Sequence, residues 1–153
     1  MIVEHVAISV SNLDKSIEFY TETLGCELIR RTTHNAYLHL SGELIELMQS
    51  GTPTLKVERP TSPEAWLNKM HDPLGLTHIG FRVENLDEMV KRIKDRGGDL
   101  VIPTYSFEPK IQYTTEPTED KLRRVARPAP RKKYWRIAAF ADPDGTILEF
   151  VER

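Results

Sequence analysis

Four residues of this 153-residue chain have the types and spacing for metal or acid–base chemistry: His5, Glu46, His78 and Glu149. They fall in matched pairs. His5 opens the stretch HVAISVSNLD, and His78 opens HIGFRVENLD. One offset relates the two stretches, because 78 − 5, 85 − 12, 87 − 14 and 98 − 25 all equal 73. A second offset relates Gly42-Glu43-Leu44-Ile45-Glu46-Leu47 to Gly145-Thr146-Ile147-Leu148-Glu149-Phe150, because 145 − 42 and 149 − 46 both equal 103. Fixed offsets over motif and spacer mark an internal repeat. Two copies of one module usually pack about a pseudo-twofold axis, which gathers equivalent positions. Each of the four residues interrupts an otherwise apolar strand pattern. An unpaired imidazole or carboxylate on an inner strand face would be costly. Two neutral imidazoles and two carboxylates around one divalent ion remove that cost. Such a nitrogen–oxygen donor set suits Zn²⁺, Ni²⁺, Co²⁺, Fe²⁺ or Mn²⁺.

The elements that would position these residues are legible in order. Residues 2–10 alternate and are rich in β-branched types, as a strand requires. Asn12 is a good helix cap, Leu13, Ile17, Tyr20 and Leu24 share helical spacing, and Gly25 suits the stop. Three strands fit at about 26–33, 35–41 and 43–50, with a turn at Gly42. Residues 1–50 are therefore expected to form a first βαβββ module. Residues 51–76 carry prolines 53, 60, 63 and 73 and read as a linker. Ser62-Pro63-Glu64 opens a short helix in it, with Trp66 as a packing residue. Residues 77–153 form the second module: strand 77–83, a helix from about 86 to 97 capped by Asn85, a strand near 99–103, then Trp135–Phe140 and Ile147–Glu152. Asp142-Pro143-Asp144-Gly145 is a strong turn signal between the last two. The second module is longer by 103 − 73 = 30 residues, which places a charged insertion at about 104–134.

Composition narrows the class. Hydrophobic residues make up 39%, enough for a core of normal size. The net charge is 21 − 23 = −2, so no global field recruits nucleic acid or a membrane surface. The single cysteine, Cys26, rules out an internal disulfide and reads as a small apolar strand residue. No apolar run approaches the ~18 residues of a membrane span, and no leader pattern precedes the first strand. The expectation is a cytoplasmic protein. His34, His39 and His71 lack matched partners and read as surface or packing residues.

With these motifs in place, the chain resembles the vicinal oxygen chelate superfamily, which includes glyoxalase I, methylmalonyl-CoA epimerase, extradiol dioxygenases, fosfomycin-resistance proteins and bleomycin-binding proteins. The resemblance rests on His5 in EHVAISV, the helix SIEFYTETLG, Glu46 in LIELMQ, His78 in THIGFRV and Glu149 in DPDGTILEF. It implies an α+β fold: two βαβββ repeats forming an open, cupped sheet with the helices outside. It also implies a homodimer and one divalent metal per site. The quartet His5, Glu46, His78 and Glu149 is closest to the ligand pattern of bacterial-type glyoxalase I. This puts Zn²⁺, Ni²⁺ or Co²⁺ ahead of Fe²⁺ or Mn²⁺. By the same resemblance the ion would stabilise an enediolate, and Glu149 or Glu46 would move the proton between carbons.

The resemblance stops short of the thiol. Glyoxalase I carries an arginine four residues after its first ligand and an asparagine four after its second, and both hold glutathione. Ser9 and Ser50 stand at those positions. Arg82, four after His78, either receives an anion or is a solvent-facing strand residue. In the insertion, Lys121, Arg123, Arg124, Arg127, Arg131, Lys132, Lys133 and Arg136 run without an intervening acid. They form either a lid over an anionic small-molecule substrate, with Arg124 and Arg127 touching it, or a solvated loop. The expected function is a metal-dependent lyase or isomerase of glyoxalase type. The alternatives are an Fe(II) ring-cleaving dioxygenase and a metal-free small-molecule binding protein.

Overall fold

The computed structural model of the chain describes residues 4–51, 59–71, 75–108 and 133–153. Among the described residues, eight strands and three α-helices, with a π-helical segment (Phe19–Leu24) directly after the first helix, follow in the order β1 (His5–Val10), α1 (Leu13–Glu18), β2 (Glu27–Arg31), β3 (Asn35–Leu40), β4 (Glu43–Gln49), α2 (Pro63–His71), β5 (Ile79–Arg82), α3 (Leu86–Asp95), β6 (Asp99–Phe107), β7 (Trp135–Ala141) and β8 (Ile147–Glu152). The strands make two four-stranded sheets of identical order, β1-β4-β3-β2 and β5-β8-β7-β6. In each, the first strand runs parallel to the last and the other neighbours are antiparallel. This is an α+β, glyoxalase-like arrangement.

The helix boundaries follow the expected chemistry. The Asn12 side chain accepts from the Lys15 N–H, and the Asn85 side chain from the Glu88 N–H. Each satisfies a donor that the first helical turn leaves without an intrahelical partner. One detail differs from the sequence reading. The run from Leu13 to Leu24 is not one regular α-helix; it passes into a π-helical segment, Phe19–Leu24. The wider turn keeps Tyr20, Thr23 and Leu24 all buried before Gly25 ends it in the left-handed region at φ 78°.

Alternation in the strands decides which faces pack. Ile8 and Val10 of β1, Ile45 and Leu47 of β4, and Leu148 and Phe150 of β8 join Tyr20, Leu24, Leu86 and Ile93 from the helical segments in one continuous core. Both halves of the chain contribute to it. The turn after β7 adds polar ties. Tyr20 donates to Asp142 Oδ2 at 3.1 Å, and the Ser11 N–H donates to Asp144 Oδ2 at 3.0 Å. Asp142 also accepts the N–H groups of Asp144 and Thr146. Burial raises the Asp142 carboxyl above the usual range, and these hydrogen bonds oppose it. Trp66 and Met70 of α2 pack on Val101, Ile102, Ala139, Ala141 and Ile147, which agrees with a packing role for Trp66. Phe140 lies at the centre of the main core and is fully buried. Phe140→Ala should lower unfolding stability by about 3–5 kcal/mol, measured by urea titration with an unchanged m-value.

β6 does not stop near residue 103 but continues to Phe107. A strand with two bulges tolerated Pro103 and the polar Thr104 and Ser106 that broke the alternation. Arg136 belongs to β7, where it pairs with Asp87 and Glu152, so it is a tie between strand and helix and not part of a lid. Arg124 and Arg127, with the rest of residues 109–132, lie outside the described residues, as do 1–3, 52–58 and 72–74. Cys26 is buried and its thiol is pushed up to about 11, which agrees with an unreactive packing residue.

Candidate metal centre

Strand register places the four chemistry-bearing residues. In the first sheet, Glu46 of β4 is paired with Ala7 of β1 and Tyr37 of β3. In the second, Glu149 of β8 is paired with Gly80 of β5 and Ala139 of β7. Each histidine stands two residues before the small residue that faces the glutamate, since 7 − 5 and 80 − 78 both equal 2. A two-residue step keeps a side chain on the same strand face. His5 therefore points toward Glu46, and His78 toward Glu149. The distances are 3.3 Å from His5 Nε2 to Glu46 Oε2 and 3.7 Å from His78 Nε2 to Glu149 Oε2. The small residues keep the carboxylates accommodated: a Cβ at Gly80 would lie 3.6 Å from Glu149 Oε2.

The far nitrogen of each ring is also held. His5 Nδ1 lies 2.9 Å from Glu4 Oε2, and His78 Nδ1 lies 2.9 Å from Thr77 Oγ1. The Glu4 carboxylate only accepts, so the Nδ1–H of His5 is the donor in that contact. The Thr77 hydroxyl can accept in the same way at His78. This fixing of Nδ1 by the preceding residue is the usual support of a metal-ligating imidazole. Glu4 and Thr77 were not singled out from the sequence. Their position directly before each histidine was the available signal.

The two glutamates are held differently. Glu46 is 7% exposed; its Oε1 accepts from Asn35 Nδ2 at 2.6 Å. Tyr37 is paired with Glu46 across the strands, and desolvation together with that carboxylate raises the tyrosine's pKa. Tyr37 in turn packs edge-on to His5 and lies under the Arg30 guanidinium, 4.3 Å from the ring centre. Glu149 is more exposed, with its side chain at 19%. Among the described residues it meets His78 but has no amide or hydroxyl tether. The Tyr105 pKa is raised by burial and by the Glu149 charge.

The donor chemistry fits a divalent ion. Metal–ligand bonds of about 2.0–2.2 Å set adjacent ligand atoms roughly 3–3.5 Å apart. The two Nε2–carboxylate spacings lie at and just beyond this range. Within one chain, however, the pairs stay separate: among the described residues no three His, Cys, Asp or Glu side chains converge into one metal-holding group. The remaining candidate, Arg82, donates to the Arg153 carbonyl at 3.1 Å. Ser9 lies in a cleft with Lys69, Thr77 and His78. Lys69 donates there to the Gly145 carbonyl at 3.0 Å. His34 and His39 lie in the loop and strand around β3, where His39 Nε2 accepts the Gly42 N–H.

Two parallel-edged mixed sheets, each with one histidine and one glutamate on the same face, define the glyoxalase-like class of α+β proteins. The chain belongs to the Glyoxalase/Bleomycin resistance protein/Dioxygenase superfamily, whose family model matches residues 2–150. It is 33% identical over 158 residues to the Bacillus subtilis protein YwkD, covering 99% of this chain and 96% of that one. It is 25% identical over 154 residues to a probable lactoylglutathione lyase of Synechocystis, covering 99% and 95%. A crystal structure of a glyoxalase/bleomycin resistance protein/dioxygenase from Alicyclobacillus acidocaldarius superposes with a TM-score of 0.62 at 21% identity, covering 99% of this chain and 90% of that one. No helix among the described residues is long and apolar enough to cross a membrane.

Proposed function

We propose that the chain is a divalent-metal-dependent lyase or isomerase of glyoxalase type, acting on a small substrate with two adjacent oxygens. The observation that carries this reading is the duplicated His–Glu pair with each imidazole fixed through Nδ1. His5, Glu46, His78 and Glu149 would hold the ion. Each chain supplies two half-sites, and a pair of donors is too few for a stable structural or catalytic centre. The His5–Glu46 half of one copy joined to the His78–Glu149 half of a second gives the full set, so the active form is a homodimer.

The bound ion supplies Lewis-acid polarisation of a carbonyl, which lowers the barrier to removing the neighbouring C–H proton. The residues of the chain do the rest. Glu46, held by the Asn35 amide, stays fixed. Glu149, which has no such tether among the described residues, takes the proton from one carbon and returns it to the next. Similarity to a probable lactoylglutathione lyase supports the reaction type. Ser9 and Ser50 argue for a substrate other than a glutathione adduct.

Elemental analysis of protein purified without added metal tests this. About one Zn²⁺, Ni²⁺ or Co²⁺ per site is expected, and its removal by chelator should lower the melting temperature, because an ion that binds only the folded state stabilises it. Iron with oxygen-dependent activity would favour the dioxygenase. A protein that takes up no metal on reconstitution would remove the enzyme reading.

A further inference from the structure

The face of the second sheet that carries Glu149 is covered by α2 at Ala139, Ala141 and Ile147, and continues beyond that cover along β6 and β7. The extra residue of β6 between Ile102 and Tyr105 shifts the register against β7, where Ile102 faces Ala139 and Tyr105 faces Ile137. A bulge of this kind re-aims the side chains beyond it. Here it turns Tyr105 and Phe107 to the face that carries Ala139 and Glu149. Phe107 is paired with Trp135 of β7, so three rings follow one another. Tyr105 and Phe107 are tilted at 5.9 Å, and Phe107 and Trp135 meet edge-on at 6.1 Å. The Arg153 guanidinium lies over the Trp135 ring at 4.7 Å and stiffens that end. Tyr105 remains 44% exposed, although a large aromatic side chain gains by burial. The corresponding face of the first sheet has no such run; there the Tyr37 ring is covered by Arg30.

The shelf lies on the same face as the candidate metal centre. Tyr105 is paired with Ile137 of β7, and Ile137 with Val151 of β8, two residues along the strand from Glu149. Two strand spacings and that two-residue step put the two backbones about 12 Å apart. The Tyr105 side chain and a small ligand held at Glu149 span that distance together.

We propose that Tyr105, Phe107 and Trp135 form the specificity surface of the site, and that the substrate class is aryl-substituted: an aromatic ring on the shelf, and vicinal oxygens at His78 and Glu149. The proposal rests on the metal-centre reading for the placement of the oxygens. The shelf itself is testable apart from it.

The experiment titrates the Zn²⁺-reconstituted protein, and the same protein stripped with chelator, with mandelate and with lactate by calorimetry. The two probes share the hydroxy-carboxylate and differ in phenyl against methyl. Mandelate should bind about three- to tenfold tighter, in line with ring–ring contact. Tyr105→Ala should reduce that preference toward one, and Tyr105→Phe should retain it. Tyr105 is partly exposed, so both variants should keep the wild-type melting temperature within a few degrees. Equal affinities, no mandelate binding in either form, or an undiminished preference in Tyr105→Ala would each overturn the shelf. A ring preference that survives in a protein found to hold no metal would retain the shelf and overturn the metal centre instead.

Discussion

Glu149→Gln should slow proton abstraction by about 10²–10⁴-fold while the fold persists. The readout is exchange of the α-hydrogen of an α-hydroxyketone with deuterated water, followed by NMR. Glutamine matches glutamate in size and keeps one oxygen that can contact a cation, but it cannot accept the substrate proton. The position is chosen on tethering. Glu149 meets His78 at 3.7 Å and has 19% side-chain exposure, so its carboxylate has room to swing. Glu46 is held by Asn35 at 2.6 Å and is 7% exposed, and its motion would break that contact. Glu46→Gln should therefore act chiefly on metal retention. Loss of an outer partner alone costs about 10–100-fold in affinity, and loss of a ligand charge should cost at least that. If Glu46→Gln removes exchange while Glu149→Gln leaves it intact under saturating metal, the assignment of the two carboxylates is reversed.

The second large effect concerns the origin of the four ligands. His5→Ala and His78→Ala should each lose metal and activity. Mixed after partial unfolding and refolding, they should regain about a quarter of the wild-type value, because half of the dimers become mixed and one of two sites in each is intact. The reasoning follows from the half-sites. A mixed dimer joins the wild-type His5–Glu46 half of one chain to the wild-type His78–Glu149 half of the other, while its second site carries both lesions. A centre contained in one chain would give no recovery, since every chain carries a lesion. Equal metal content before and after mixing, with exchange of subunits verified by mass spectrometry of differently tagged copies, would exclude the shared centre.

Much of this fold was legible in the chain itself. Asn12 and Asn85 are capping residues wherever a helix follows, and both accept the expected N–H. Alternation in HVAISV and ILEFVE reports which face is buried, and Ile8, Val10, Leu148 and Phe150 are buried accordingly. The repeat offset singled out His5, Glu46, His78 and Glu149 because equivalent strands place equivalent side chains. Register then brought each histidine to its own glutamate.

Other features lay beyond the reach of local pattern. The end of β6 was hidden, since a bulged strand carries Pro103, Thr104 and Ser106 without the period that marks a strand. Arg136 looked like one of a basic run until Asp87, 49 residues away, was found beside it. The tether on Glu46 comes from Asn35 on a neighbouring strand, and nothing in its own segment marks it. Residue type and periodicity determined the elements, their caps and the four chemistry-bearing positions, because those depend on neighbours within a few residues. The tertiary structure alone decided that Asn35 holds Glu46, and that among the described residues the two His–Glu pairs do not converge into one group, because both depend on side chains that meet only when distant strands pair.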